Sequence, residues 1–192
     1  MGESEVAKVL RLVFREVLPG DRRKFIAQSA DSPSGGGARD FRFSPYDRFE
    51  DVFELMFPGR ETKTRRRNGH DVDIEIYTGR VSIWGRGETL LPLEFEPPTS
   101  ARPNEGRLTR LNHLGLVVPT EAGRVLLVLY ETDDNRLWMA FATEESLQAR
   151  QWHRVVNDFL LSCLERDRPA NHAAQGFLDL VTGKQYCKSS GG

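Results

Sequence analysis

Three stretches of the sequence concentrate side chains able to do chemistry. The first begins at Ser29, passes through Asp31, Ser32, Ser34, Gly35, Gly36 and Gly37, and runs on to Arg39 and Arg42. Consecutive glycines let a backbone approach a phosphate closely and aim several N–H groups at it. The Ser, Asp and Arg around them suit phosphate and base-edge contacts, although the same composition also makes a plain surface loop. The loop is neither a P-loop, which needs Lys-Ser or Lys-Thr entering a helix, nor a G-x-G-x-x-G dinucleotide fingerprint. The second stretch is Arg102-Pro103-Asn104-Glu105-Gly106-Arg107-Leu108-Thr109-Arg110. Alternation with period two places Glu105, Arg107 and Thr109 on one face and Asn104, Leu108 and Arg110 on the other, a pattern that a solvated strand shares. The third is the basic run from Arg60 to Arg67, in which Arg65, Arg66 and Arg67 are consecutive and Asn68-Gly69 is a turn signal. Its arginines are expected to contact phosphates.

Catalytic chemistry finds less support. A metal-dependent nuclease would set carboxylates for the cation beside a lysine that stabilises charge at the attacked phosphate. Asp71, Asp73 and Glu75 alternate on one segment and Glu94 and Glu96 on another, yet neither supplies the lysine, and a solvated strand face is the simpler reading. His70, His113, His153 and His172 have no ligand spacing to one another or to Cys163 and Cys187, and no G-x-S-x-G elbow is present. The two cysteines read as reduced thiols. No catalytic residue, metal site or cofactor is expected.

The elements that must position these stretches follow from periodicity. Val6, Val9, Leu10, Val13, Phe14 and Val17 recur at three- and four-residue intervals, which predicts a helix over 5–18. A short strand is expected over 22–29 and a loop over 30–40, followed by an extended Phe41-Arg42-Phe43. Phe49, Val52, Phe53 and Met56 predict a helix closed by Pro58-Gly59. Short extended segments are expected over 71–77, 80–85, 90–95, 105–111, 114–118, 124–131 and 136–142, separated by Gly, Pro or Asp-Asp-Asn. Thr143 caps a turn whose first residues, Glu144 and Glu145, favour the positive helix end. Leu147 to Leu164 then form a helix over 146–165, and the tail from Asp167 is polar. The expected fold is mainly β with flanking α-helices, a sandwich or barrel of about seven short strands. It is organised as an N-terminal helix (1–20), a barrel (21–147) and a C-terminal helix with a polar tail (148–192).

Composition bounds the partners. The chain has 192 residues, with 27 Lys and Arg against 28 Asp and Glu, for a formal net charge of −1. Bulk charge therefore does not mark a nucleic-acid binder, and any such role requires positive charge gathered on one face. No run approaches the roughly 18 apolar residues of a membrane span, and the start at Met1-Gly2-Glu3 is acidic. A cytoplasmic protein without membrane contact is expected.

Two of the stretches together carry a resemblance. Phe25-Ile26-Ala27-Gln28-Ser29-Ala30-Asp31-Ser32-Pro33-Ser34-Gly35-Gly36-Gly37, the extended run to Phe43 and the helix ending in Phe57-Pro58 resemble the N-terminal part of the DNA-binding pseudobarrel of EcoRII-type restriction endonucleases. Asn104-Glu105-Gly106-Arg107-Leu108-Thr109-Arg110 is similar to that family's Asn-Glu-aromatic-Arg strand. The resemblance spans about residues 22–147 and implies a domain related in fold to plant auxin-response DNA-binding domains, clasping the major groove of double-stranded DNA with two arms. Ser29, Asp31, Ser32, Ser34, Gly35, Gly36 and Arg39 would belong to the first arm. Arg102, Asn104, Glu105, Arg107 and Arg110 would belong to the second. Because cleavage residues of the family lie in a separate domain, the resemblance implies a recognition module of a restriction or phage-defence system, working with a nuclease or methyltransferase partner. The competing readings are a metal-dependent nuclease using Asp71, Asp73, Glu75, Glu94 or Glu96, and a protein-interaction barrel docking through its C-terminal helix.

Overall fold

The computed structural model describes residues 7–26, 40–67, 69–120, 123–169 and 171–188, and of Arg65 and Arg67 the backbone alone. The fold is mainly β. The strands are β1 (Val9–Glu16), β2 (Phe41–Phe43), β3 (Gly59–Arg67), β4 (His70–Ile83), β5 (Leu91–Glu96), β6 (Gly106–Thr109), β7 (Val125–Thr132), β8 (Leu137–Thr143), β9 (Gln175–Asp179) and β10 (Gln185–Cys187). They form one sheet in the order β10-β9-β1-β7-β8-β4-β5-β6-β2, with β3 attached to β4. All neighbours are antiparallel except β4 and β8. The helices are α1 (Glu50–Met56), α2 (Glu144–Gln148) and α3 (Arg154–Leu164).

The sheet curls into a half-barrel. Side chains tie its two ends where no ladder does: the Ser44 backbone N–H, just past β2, donates to Gln175 Oε1 of β9 at 3.2 Å, and Lys188 Nζ donates to the Ser44 carbonyl at 2.8 Å. The concave side holds the larger core. There Phe49, just before α1, and Val52, Phe53 and Met56 of α1 pack against Val81, Leu93, Phe95, Leu108, Leu127 and Met139. A second core lies on the convex side, where α2 and α3 place Leu147, Val156, Phe159, Leu160 and Leu164 on Leu12, Phe14, Leu126, Val128, Ala140 and Leu178. Strand β7 is therefore apolar on both faces, which explains its unbroken Val125-Leu126-Leu127-Val128-Leu129-Tyr130.

Several expectations are corrected. Ten strands replace about seven. The helix expected over 5–18 is strand β1, set between β7 and β9, so its apolar residues feed two opposite cores rather than one helical stripe. Of the strand expected over 22–29, Arg22 to Phe25 belong to a 3₁₀ helix (Pro19–Phe25), Ile26 follows it, and 27–29 lie outside the described residues. Segments 71–77 and 80–85 are one long strand, and 114–118 is not a strand. The single helix over 146–165 is two, broken at 149–153. Thr143 does cap the first, accepting from the Ser146 backbone N–H at 3.0 Å. The polar tail supplies β9 and β10, and Cys163 and Cys187, expected as free thiols, are joined as a disulfide with Cα atoms 5.7 Å apart. Among the described residues, no helix is long and apolar enough to cross a membrane.

Candidate nucleic-acid interface

Helices α2 and α3 cover only the β1, β7, β8 and β9 half of the convex surface. Over β4, β5, β6 and β2 the inward positions, Tyr77, Val81, Leu93, Phe95, Leu108, Phe41 and Phe43, enter the concave core. The intervening residues must point outward, and no helix among the described residues covers them. They are charged: Arg42 on β2, Arg107 on β6, and Glu94 and Glu96 on β5. Register sets Arg42 directly opposite Arg107, and Arg107 opposite Glu96.

Two like charges directly opposite each other destabilise a sheet unless a counter-charge intervenes. Glu105 supplies it. Its Oε1 accepts from Arg107 Nε at 2.7 Å, Arg42 Nη1 lies 3.6 Å from its Oε2, and Arg102 Nη1 lies 3.8 Å from its Oε1. Arg107 Nη1 also reaches Asp40 Oδ2 at 3.3 Å, and Arg102 Nη2 lies 3.7 Å from Glu96 Oε2. The Arg107–Asp40 pair holds Asp40, just before β2, against β6. Close behind, on the concave side, the Arg15 guanidinium stands over the Phe41 ring at 4.9 Å. Burial pulls its pKa below the usual arginine value, against the attraction of Asp21 and with the repulsion of Arg42.

A second cluster joins the basic run to the same face. Glu94 is buried, and its Oε1 receives both Lys63 Nζ at 2.6 Å and Arg110 Nη1 at 3.1 Å. Arg110 has left-handed backbone geometry at φ +64°, unusual for a residue with a side chain, and this turns the chain out of β6. Residues from three separate stretches, 40–42, 60–67 and 102–110, thus share one surface.

The expected site residues divide three ways. Ser29, Asp31, Ser32, Ser34, Gly35, Gly36 and Arg39 lie outside the described residues. Arg42, Arg102, Glu105, Arg107 and Arg110 are brought together, but unequally, whereas Asn104 lines a neighbouring cleft. The side chains of Arg42 and Arg110 are 48% and 50% exposed, whereas Arg107 is 14% exposed and clamped by two carboxylates. Arg65, Arg66 and Arg67 lie on β3, which forms a hairpin with β4. Sequence reasoning missed Asp40, Lys63, Glu94 and Glu96 as members of this surface. For Lys63 a signal existed: β-branched Thr62 and Thr64 alternate with charged residues just before Asn68-Gly69, which is hairpin patterning.

Beside this surface lies one of opposite sign. A cleft of about 790 Å³ between the 97–104 loop and β4 is lined by Asp47, Glu50, Asp73 and Glu75, with Asn104 on its rim. Asp71, Asp73 and Glu75 are exposed, as a solvated strand face would be, but Glu94 and Glu96, expected on such a face too, are buried, held there by cationic partners. No group of three or more His, Cys, Asp or Glu among the described residues is placed to hold a metal ion. Compared with known proteins, the chain matches no family model and no curated protein.

Proposed function

We propose that this chain is a sequence-specific double-stranded DNA recognition module of a restriction or phage-defence system, built on a pseudobarrel of the EcoRII type. Cleavage or modification is the task of a separate domain or partner. One observation carries the reading: the chain is near neutral overall, yet cations from three separate stretches converge on a sheet face that no described helix covers. Gathering charge in this way matters for a polyanionic partner, because each phosphate neutralised by Lys or Arg releases condensed counterions. The carboxylates among the cations hold the guanidinium groups in fixed orientations, as bidentate recognition of a base edge requires. Arg42 and Arg110, half exposed, are placed to make contacts. Arg102, Arg107 and Glu105 position them, and Arg107 also holds Asp40.

The nuclease reading is less favoured because Glu94, one of its proposed ligands, already neutralises Lys63 and Arg110.

Mobility shifts with random-sequence and selected duplexes, titrated with salt, test the proposal. Binding is expected at roughly 50 mM salt, with log K falling by about 0.9 for every phosphate contact per log unit of salt. The same duplexes should remain uncut with magnesium present. A chain that retains no duplex at low salt sinks the proposal, and magnesium-dependent cutting selects the nuclease reading.

A further inference from the structure

The β3–β4 hairpin is more than an extension of the sheet. From His70 to Ile76, β4 has β3 as its only ladder partner among the described residues, because pairing with β5 begins at Tyr77 and with β8 at Val81. The hairpin therefore leaves the sheet as a two-stranded ribbon. Its base is fixed: Ile74 and Ile76 are buried, and the Arg60 guanidinium stacks 3.6 Å from the Tyr77 ring centroid. From the Lys63–Ile74 pair to the Arg67–His70 pair there are four steps of about 3.4 Å, a reach of roughly 14 Å.

Register sorts the charge of this ribbon between its faces. Cross-strand partners share a face, so the pairs Lys63–Ile74, Arg65–Val72 and Arg67–His70 define one side. That side continues the outward surface of β5, as the contact between Lys63 and Glu94 requires. By register it carries three cationic positions and a histidine, with Glu61 and Glu94 at the base, where both carboxylates approach Lys63. The pairs Thr62–Glu75, Thr64–Asp73 and Arg66–Asp71 define the other side, with three carboxylates to one cation beyond Arg60 at the base, which lies 3.8 Å from Glu75 Oε1. Asp73 and Glu75 of that side line the acidic cleft, which runs along the β4 edge away from β3 and also touches Val72 and Ile74.

We propose that this ribbon is a third DNA arm that lies in the major groove with the Lys63, Arg65, Arg67 and His70 face toward the bases and the acidic face toward solvent. The inference rests on the duplex-binding reading above. A two-stranded ribbon fits a groove about 12 Å wide, and the reach exceeds its depth of about 8.5 Å. Charge chooses the face, since the opposite orientation would press Asp71, Asp73 and Glu75 against the duplex.

The test compares the full-length protein with Arg65→Ala, Arg67→Ala, Arg66→Ala and Asp73→Asn by salt-titrated binding and by selection from a random duplex library. Arg65→Ala and Arg67→Ala should each weaken the selected duplex by about fivefold to a hundredfold and relax the motif at one or two positions. Arg66→Ala, on the other face, should cost less than either. Asp73→Asn should change affinity by less than about threefold, because its charge faces away and is screened over roughly 10 Å. The ribbon assignment is overturned if Arg65→Ala and Arg67→Ala select an unchanged motif at wild-type affinity, or if Arg66→Ala costs as much as they do. A gain of about tenfold in Asp73→Asn would also overturn it, by showing that the acidic face meets the duplex. A wild-type protein that binds no duplex brings down the parent reading. One that binds, with these variants unaffected, brings down the ribbon alone.

Discussion

Glu16 is a buried residue whose ionised form the fold holds with several donors. Its carboxylate is buried at the end of β1, where it accepts from Arg124 Nε at 2.7 Å, Arg124 Nη2 at 3.0 Å and the Ala174 backbone N–H at 2.9 Å. Burial alone would raise its pKa. The hydrogen bonds and positive charge of Arg124, with the Ala174 N–H and Arg168, outweigh burial and hold it below the ordinary glutamate value. A carboxylate depressed in the folded state adds stability that is present above its unfolded pKa, about 4.3, and is lost as pH falls through the folded value. Urea unfolding from pH 7 down to pH 3 should therefore show stability falling below about pH 5, and Glu16→Gln should flatten that fall while lowering the plateau at pH 7. An unchanged acid profile in the variant would place the sensitivity elsewhere. The same logic separates Arg107 from Arg42 on the basic face: one guanidinium is consumed by Glu105 and Asp40, and the other keeps half its surface for a partner.

At the level of elements, β6 shows how a backbone position is dictated by its neighbours. A Cβ on Gly106 would collide with the Phe95 ring and stand 2.7 Å from Tyr46 Cδ2, both parts of the concave core. Gly106→Ala should cost about 1–3 kcal/mol by overpacking, read as a lower urea midpoint with an unchanged m-value. A neutral variant would mean that Tyr46 and Phe95 can separate freely. What was legible in the sequence follows the same physics. Helix α1 and strands β5, β7 and β8 were visible because their apolar residues face cores in simple patterns. Strand β1 was not: Leu12 and Phe14 face one core and Val13 the other, while Arg11 and Arg15 are kept inside by Glu131 and Asp21. Such a strand shows no alternation, and its three- and four-residue spacings imitate a helix. Strands β9 and β10 were hidden by polar residues. Gln175 and Asp179 are buried on the interior strand β9, where they accept from the Ser44 N–H and from the Val181 and Thr182 N–H groups of the turn respectively, and Gln185 lies on the edge strand β10. The hairpin was half visible, since its turn signal was plain but its projection depends on where β5 begins to pair. The basic face could not be read from spacing, because the meeting of Lys63 with Arg110 on Glu94 is a product of the curl.

On the scale of the whole molecule, one sheet draws on all three of the segments expected from the sequence, and the Ser44, Gln175 and Lys188 contacts that tie its ends involve the last strands. Cutting the chain after Asp167 would remove β9 and β10 and leave β1 as an unprotected, highly apolar edge. Such a protein should lose near-ultraviolet circular dichroism and associate on gel filtration, whereas a monomer with native spectra would show that the rest is self-sufficient. The position of β1 also has a consequence in time. Glu16 meets Ala174 across 158 residues, and Arg11 meets Glu131 across 120. At a synthesis rate of about 5–20 residues per second, Glu16 waits on the order of ten to thirty seconds for that partner to be made. Until β7 is made this early, sticky segment has neither neighbour, and until β9 follows it has only one; contacts so distant along the chain also slow refolding in vitro. The arrangement that buries β1 most completely in the finished protein leaves it longest without shelter on the ribosome.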